Sequence, residues 1–335
     1  MNTKYLEAIQ PLIIAYGYRR NSNQTIFLGY GKRITVEGCN EVLNKMLPLC
    51  DGIHRLGDIL RNLGDEYDIN SLIELVKILI RHEIFIDSSD LYWIFHSRSM
   101  NPTLYGKVLS ESEVAEILRQ KNYKTYRSRR PLYIPSFSDI DSGFLEFLRQ
   151  RKSTSKFFCK DISFANLGGL MRAAYGVTRR EKLGPYTILH RTVPSAGALY
   201  PLELYLVNLI TIKPLQKGLY YFNKESEYLV PLKIGDFSNR LKEMLIEANE
   251  TIDTASLLLI VTARFSRSCK KYSNRGYRHI LLEAGHLAQN VYLYCIDQGL
   301  ETVELSGFFD ESLCDLLEIS GSVEAPITVL AIGSK

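Results

Sequence analysis

The hydrophobic pattern opens with a β-rich stretch. Thr25-Ile-Phe-Leu-Gly-Tyr-Gly-Lys-Arg-Ile-Thr-Val36 holds two such segments around a glycine-containing turn, which predicts a hairpin. Three stretches of helical period follow, over about Cys39–Leu49, Leu56–Leu63 and Asn70–His82. Asp51-Gly52 closes the first, and Leu72, Leu75, Val76 and Leu79 form the apolar stripe of the third. Ile84-Phe-Ile86 then reads as a return strand. A hairpin, three short helices and a closing strand make a winged-helix-like unit, which can read DNA or take up an extended peptide along a strand edge. The pattern favours neither.

A connecting region runs from Ser88 to about Phe137. It predicts one helix, Glu111–Gln120, with Ser110 and Glu113 at capping-box spacing. A basic run follows in which Lys121, Lys124, Arg127, Arg129 and Arg130 alternate with Tyr123 and Tyr126. Such a run can cradle a phosphate backbone, but a solvated linker or an arm packed on a partner subunit is the preferred reading, and no nucleic-acid partner is expected. From Ser142 the pattern changes to mixed helices and strands, an α+β order. Ser163 caps an apolar helix, Leu167–Tyr175, ended by Gly176, and a polar loop follows. Strands are predicted over Glu203–Ile210, Leu257–Ala263 and Ile327–Ile332. Between the last two lies a helix, His279–Gln298, stopped by Gly299. That helix is apolar at Leu281, Ala284, Ala288, Val291 and Cys295, with Glu283, His286 and Asn290 on another face. His286 reads as a core or subunit-interface residue ahead of a catalytic base.

Composition narrows the classes. At 335 residues, 46% hydrophobic and 23% charged, the chain suits roughly two globular domains and excludes a disordered or disulfide-scaffold protein. A net charge of +4 demands no polyanionic partner. The six cysteines include no C-x-x-C pair, so neither structural zinc nor another metal is expected. No signal peptide is read at the start, and the longest apolar runs fall short of a membrane span. Free thiols and no membrane partner fit the cytoplasm.

Four segments carry candidate chemistry. Arg151-Lys-Ser-Thr-Ser-Lys-Phe157 crowds cations and hydroxyls as a phosphate monoester requires. In Arg191-Thr-Val-Pro-Ser-Ala-Gly-Ala-Leu-Tyr-Pro201, prolines fix the backbone, Gly197 allows close approach to a flat ligand, and Ser195 can offer its hydroxyl to ring heteroatoms; an ordinary tight turn is the competing reading. Arg264–Arg278 mixes cations with tyrosines. Positive neighbours favour a lysine's neutral, proton-accepting form, and an adjacent tyrosine can orient a substrate, unless the run is merely a solvated basic loop. Leu305-Ser-Gly-Phe-Phe-Asp310 is a glycine-centred turn whose N–H groups could reach a ligand.

Pro194-Ser-Ala-Gly-Ala-Leu-Tyr-Pro201 and Lys271-Tyr-Ser-Asn-Arg-Gly-Tyr-Arg278, continuing to Glu283-Ala-Gly-His and Gln289-Asn290, resemble the nitroreductase superfamily, specifically its SagB/McbC-type azoline dehydrogenases. The resemblance covers about 142–335. It implies an α-β-α sandwich over residues 131–335 binding FMN in a homodimer. Arg151, Ser153 and Lys335 fall near the phosphate; Ser155 stands where the family usually has a second cation, a role that passes to Lys152 or Lys156. Pro194, Ser195, Ala196 and Gly197 line the isoalloxazine ring, Asn290 belongs to the same cofactor site, Ser306 and Gly307 face the flavin N5, and Lys271 with Tyr272 is the catalytic pair. By the same resemblance, residues 1–130 are a leader-peptide recognition unit with its linker. The implied reaction is oxidation of thiazoline or oxazoline rings in a ribosomally made precursor peptide, with a cyclodehydratase as a further partner. Two alternatives stay open: an NAD(P)H-dependent nitro or quinone reductase, and a non-catalytic peptide- or DNA-binding protein.

Overall fold

The computed structural model describes residues 9–13, 17–20, 23–29, 32–82, 84–90, 92, 96, 99, 110–119, 142–158, 162–321 and 323–334. The basic run at 121–130 and Lys335 lie outside them. The chain divides into two compact units, one of Met1–Met100 with Lys271–Tyr277, the other of Asn101–Lys270 with Arg278–Lys335.

In the first unit, β1 (Pro11–Ile13) precedes three strands, β2 (Gly17–Arg20), β3 (Gln24–Gly29) and β4 (Lys32–Glu37). β3 and β4 form the expected hairpin, Gln24 opposite Glu37, and β2 adds to its other side. Helices α1 (Asn40–Met46), α2 (Leu56–Gly64) and α3 (Ile69–Arg81) follow, then β5 (Phe85–Asp87). The return strand does not close the hairpin; β5 pairs instead with β1, Leu12 opposite Ile86. Asp68 caps α3 by accepting from the Ser71 N–H at 2.8 Å. The stripe Leu72, Leu75, Val76 and Leu79 is buried as its period requires, against Phe27, Leu43, Met46 and Ile59.

The second unit begins with α4 (Glu111–Arg119), whose capping box is formed by Ser110 and Glu113, and α5 (Gly143–Arg149). Helix α6 (Phe164–Tyr175) carries a capping box of Ser163 and Asn166. The stretch expected as a polar loop is a hairpin, β6 (Val177–Leu183) with β7 (Tyr186–Arg191). Strands β8 (Leu202–Asn208), β9 (Gly218–Asn223) and β10 (Tyr228–Ile234) lead through α7 (Ser238–Met244) and α8 (Asn249–Thr254) to β11 (Leu257–Arg264). Then come α9 (Phe265–Tyr272), α10 (Arg275–Asp297), β12 (Leu300–Leu305), α11 (Asp310–Leu317) and β13 (Glu324–Ser334). The sheet order is β10-β9-β8-β11-β13-β12, antiparallel throughout.

β8 is buried along its whole length, so both faces of the sheet centre are covered. One face, with Tyr205, Val207, Leu258 and Ile260, packs on α7, α8 and α11 through Leu241, Ile252 and Leu313. The alternate residues Leu204, Leu206, Leu257 and Leu259 are equally buried. Tyr175 of α6 accepts from the Leu202 N–H of β8 at 3.3 Å and donates to Glu283 of α10 at 2.6 Å, tying the two helices to each other and to the sheet. These two helices approach so closely that a Cβ at Gly169 would fall 2.0 Å from the Tyr294 hydroxyl.

Candidate functional site

The loop from Arg191 to Pro201 joins β7 to β8 in a costly backbone shape. Gly197, Ala198 and Tyr200 have φ of +64°, +53° and +48°, a region that costs non-glycine residues on the order of 1–3 kcal/mol each. Local hydrogen bonds hold it: Ser195 Oγ accepts from the Tyr200 N–H at 2.9 Å, and the Tyr200 hydroxyl accepts from the Arg191 N–H at 3.1 Å.

Beneath lies a buried charge network. The Arg191 guanidinium sits over the rings of Tyr175 and Tyr200, at 4.9 and 5.4 Å, and its Nη1 donates to the carbonyls of Tyr175 and Lys224 at 2.8 Å. Lys224 Nζ donates to Leu202 O, Glu203 Oε1 and Tyr200 O at 2.6, 2.8 and 3.2 Å. Glu283 accepts from the Tyr175 hydroxyl at 2.6 Å. Two cations therefore face two carboxylates. Burial holds the Lys224 pKa below its ordinary value against the opposing pull of Glu203, and pushes Glu283 up. Burial, then the neighbouring Glu283, drives the Tyr175 hydroxyl well above its usual range, so it remains a donor. One lone pair of Ser195 Oγ is taken by the Tyr200 N–H, which leaves the hydroxyl proton and a further lone pair for other groups.

The sequence pattern gives neither Glu283 nor Lys224 a role in this network. Glu283, from the polar stripe of α10, is 2% exposed, while Leu281 of the expected apolar face is 43% exposed and His286 is exposed. The available signal was Glu203, a carboxylate inside the otherwise apolar Leu202-Glu-Leu-Tyr-Leu-Val: a buried strand charge requires a buried partner.

The cation segment lies along β12 and α8. Thr154 N–H donates to Thr302 O at 3.1 Å, and Thr251 Oγ1 to Ser155 O at 2.7 Å. Ser153 Oγ and the Tyr292 hydroxyl are 2.9 Å apart, and Arg151 lies over the Tyr292 ring at 5.6 Å. Lys152 is bound by the buried Glu301 at 2.6 Å and Lys156 by Glu250 at 2.5 Å. Arg151 has no carboxylate partner among the described residues. Asn290 Nδ2 donates to Ala173 O and Thr192 O at 3.2 and 3.3 Å, fixing the loop just before Pro194. The turn after β12 is anchored where Gly307 O accepts from the Ile246 N–H at 2.8 Å. Among the described residues the N–H groups of Ser306 and Gly307 donate to no other group.

The basic run at 264–278 is largely helical: α9 continues directly from β11, and α10 starts at Arg275, four residues before the expected His279. At the end of α9, Lys271 is exposed and its Nζ lies 5.2 Å over the Tyr272 ring. The structure thus joins Arg151 with Ser153 through Tyr292, and Asn290 with the Ser195 loop through Thr192. Lys271 and Tyr272 group with the other unit. Burial raises the thiols of Cys50 and Cys295 to about 12 and Cys314 to about 11, so these side chains are inert toward nucleophilic chemistry. Among the described residues no metal-holding group of His, Cys, Asp and Glu occurs, and no helix is long and apolar enough to cross a membrane.

The profile of the Nitroreductase family matches residues 148–334, more than half of the chain. The chain belongs to the nitroreductase family. A Methanocaldococcus jannaschii protein named as a nitroreductase is 32% identical over 198 residues, 59% of this chain and 94% of its own length. The microcin B17-processing protein McbC of Escherichia coli is 26% identical over 215 residues, 62% of this chain and 77% of that protein. Among solved structures, a chain of the E. coli microcin synthetase McbBCD complex with truncated pro-MccB17 bound superposes with a TM-score of 0.58 at 22% identity. That match covers 77% of this chain and 97% of the other, and shows the shared fold.

Proposed function

We propose that this nitroreductase-family member is an FMN-dependent dehydrogenase that converts thiazoline or oxazoline rings of a ribosomally made peptide to the aromatic azoles. The observation that carries the reading is the Lys271–Tyr272 pair, adjacent and 5.2 Å apart from amine to ring centre, in a chain related to McbC. Lys271 Nζ takes the proton from the ring carbon beside the peptide carbonyl, and the Tyr272 ring restricts where that amine can go. Bound FMN would supply the acceptor for a hydride from the adjacent ring carbon, so that each ring would lose one proton and one hydride.

The donors and acceptors present suit that cofactor. Arg151 and Ser153 offer a charge-assisted phosphate site, with Lys335 as a second cation, whereas Lys152 and Lys156 are already spent on carboxylates. Ser155 would add a hydroxyl. Pro194, Ala196 and Gly197 form a wall a planar ring can approach, with the Ser195 hydroxyl and the Ser306 and Gly307 N–H groups as its polar contacts. Asn290 orients that wall. Asn290 and Tyr292, two positions apart on α10, project in different directions, so the loop and the cation segment flank opposite sides of the helix. A cofactor touching both suits a homodimer in which two copies share each site.

The amino-terminal unit serves as the peptide-recognition unit. β4 is an edge of its sheet, and beside it lies a cavity of about 520 Å³ lined by Cys39, Val42, Tyr67, Leu72 and Leu75, with Glu41 and Asp68. Delivery of the peptide by a cyclodehydratase in the cytoplasm completes the reading. The 32% identity to the nitroreductase-named protein supports a second reading, an NAD(P)H-dependent reductase. Mixing the yellow holoenzyme anaerobically with a thiazoline peptide or with NADPH separates the two: bleaching by the peptide alone supports dehydrogenation, and bleaching by NADPH alone contradicts it.

A further inference from the structure

The joint between α9 and α10 is two residues, Ser273 and Asn274. Asn274 stands immediately before α10, where an asparagine ordinarily caps its own helix. Its side chain instead leaves the helix. Oδ1 accepts from the Tyr92 N–H at 2.9 Å, and Nδ2 donates to the Ser88 carbonyl at 3.0 Å, so both ends of the amide are spent on chain 182 and 186 residues away. Three residues on, Tyr277 stacks on Tyr92 with ring centres 6.5 Å apart and meets His96 edge-on at 6.1 Å. The segment that carries Lys271 and Tyr272 is thereby gathered into the amino-terminal unit, while the chain on either side belongs to the other.

We propose that Asn274 is a positioning residue for the reaction: its two-ended clamp on Ser88 and Tyr92 fixes the α9–α10 joint and so sets where the Lys271 amine sits. The inference rests on the reading of Lys271 as the base. Lys271 lies in the last turn of a short helix, where backbone carbonyls lack partners and the turn frays unless it is tied. Ser273 adds no stiffness of its own choosing, since its φ of +49° is a shape a serine keeps only under restraint. Asn274 supplies that restraint from both sides of one amide. Loss of the clamp displaces the amine, and a displacement of about 1 Å is enough to cost about 10²-fold in rate.

The test uses the full-length holoenzyme and a thiazoline peptide, comparing Asn274→Ala, Asn274→Asp, Lys271→Ala and the Lys271→Ala/Asn274→Ala double variant. Asp keeps the acceptor for Tyr92 and loses the donor to Ser88, so it separates a weakened clamp from an unfolded joint. The expected result is a fall in kcat of about 10²-fold for Asn274→Ala and a smaller one for Asn274→Asp, with KM and the bound-flavin spectrum unchanged. In the Lys271→Ala background Asn274→Ala causes no further loss. Wild-type kcat in Asn274→Ala overturns the proposal, as does a full additional loss in the double variant. Normal turnover by Lys271→Ala itself overturns the base assignment, and the clamp's catalytic role with it.

Discussion

Two lysines of this chain show how differently a scaffold and a reacting site use the same side chain. Lys224 is 6% exposed and its ammonium meets three acceptors, one of them a carboxylate. Its charge is fully committed to holding β8 and the Ser195 loop together. Lys271 is exposed, its Nζ lies 5.2 Å from the centre of the Tyr272 ring, and it pairs with no carboxylate among the described residues. Buried, paired charge here makes structure; an accessible amine without a carboxylate is left for chemistry, and in the proposed reaction it acts from its neutral form. Arg151 and Lys152, both exposed, repeat the paired-against-unpaired half of the contrast one residue apart.

The comparison can be broken at several points. Lys271→Ala should lower turnover by about 10³-fold while leaving the flavin spectrum and thermal midpoint unchanged; a matching drop in stability would make it another scaffold lysine. Lys224→Met should do the reverse, leaving Glu203 buried without a cation at a cost of about 3–5 kcal/mol in urea unfolding. The same unfolding measured against pH sharpens the distinction between the units. His96 is 3% exposed and burial holds its pKa down at about 4, against an ordinary 6.5. Between those values the unfolded chain takes up a proton that the folded unit refuses, so stability falls as pH drops through that window, by up to about 3 kcal/mol. His96→Gln should flatten the slope. Glu283 acts with opposite sign: its raised pKa means the folded state keeps a proton the unfolded state has released, so stability falls as pH rises toward that value and Glu283→Gln abolishes the fall. The smallest effect is expected for Arg151→Ala, a loss of about tenfold in FMN affinity by fluorescence titration. Lys152→Ala, already neutralised by Glu301, should change it less.

Local signals were legible in the sequence. The hairpin around Gly29, the stripe Leu72 to Leu79, the Ser110 and Ser163 caps and the Gly299 stop all act within a few residues of themselves. The β6–β7 hairpin escaped because it is exposed along most of its length and shows no apolar alternation to read. The burial of Glu283 depends on a donor 108 residues away, and the clamp of Asn274 on backbone groups farther still. No periodicity encodes such partners. Family resemblance points to motif residues one segment at a time, while the groups packed around them become visible only in the fold.

The most direct test is the mass of a thiazoline-bearing peptide after incubation with the holoenzyme in air. The account predicts the loss of two hydrogens for each ring, abolished in Lys271→Ala with flavin still bound. An unchanged peptide mass from flavin-loaded wild-type protein would contradict it.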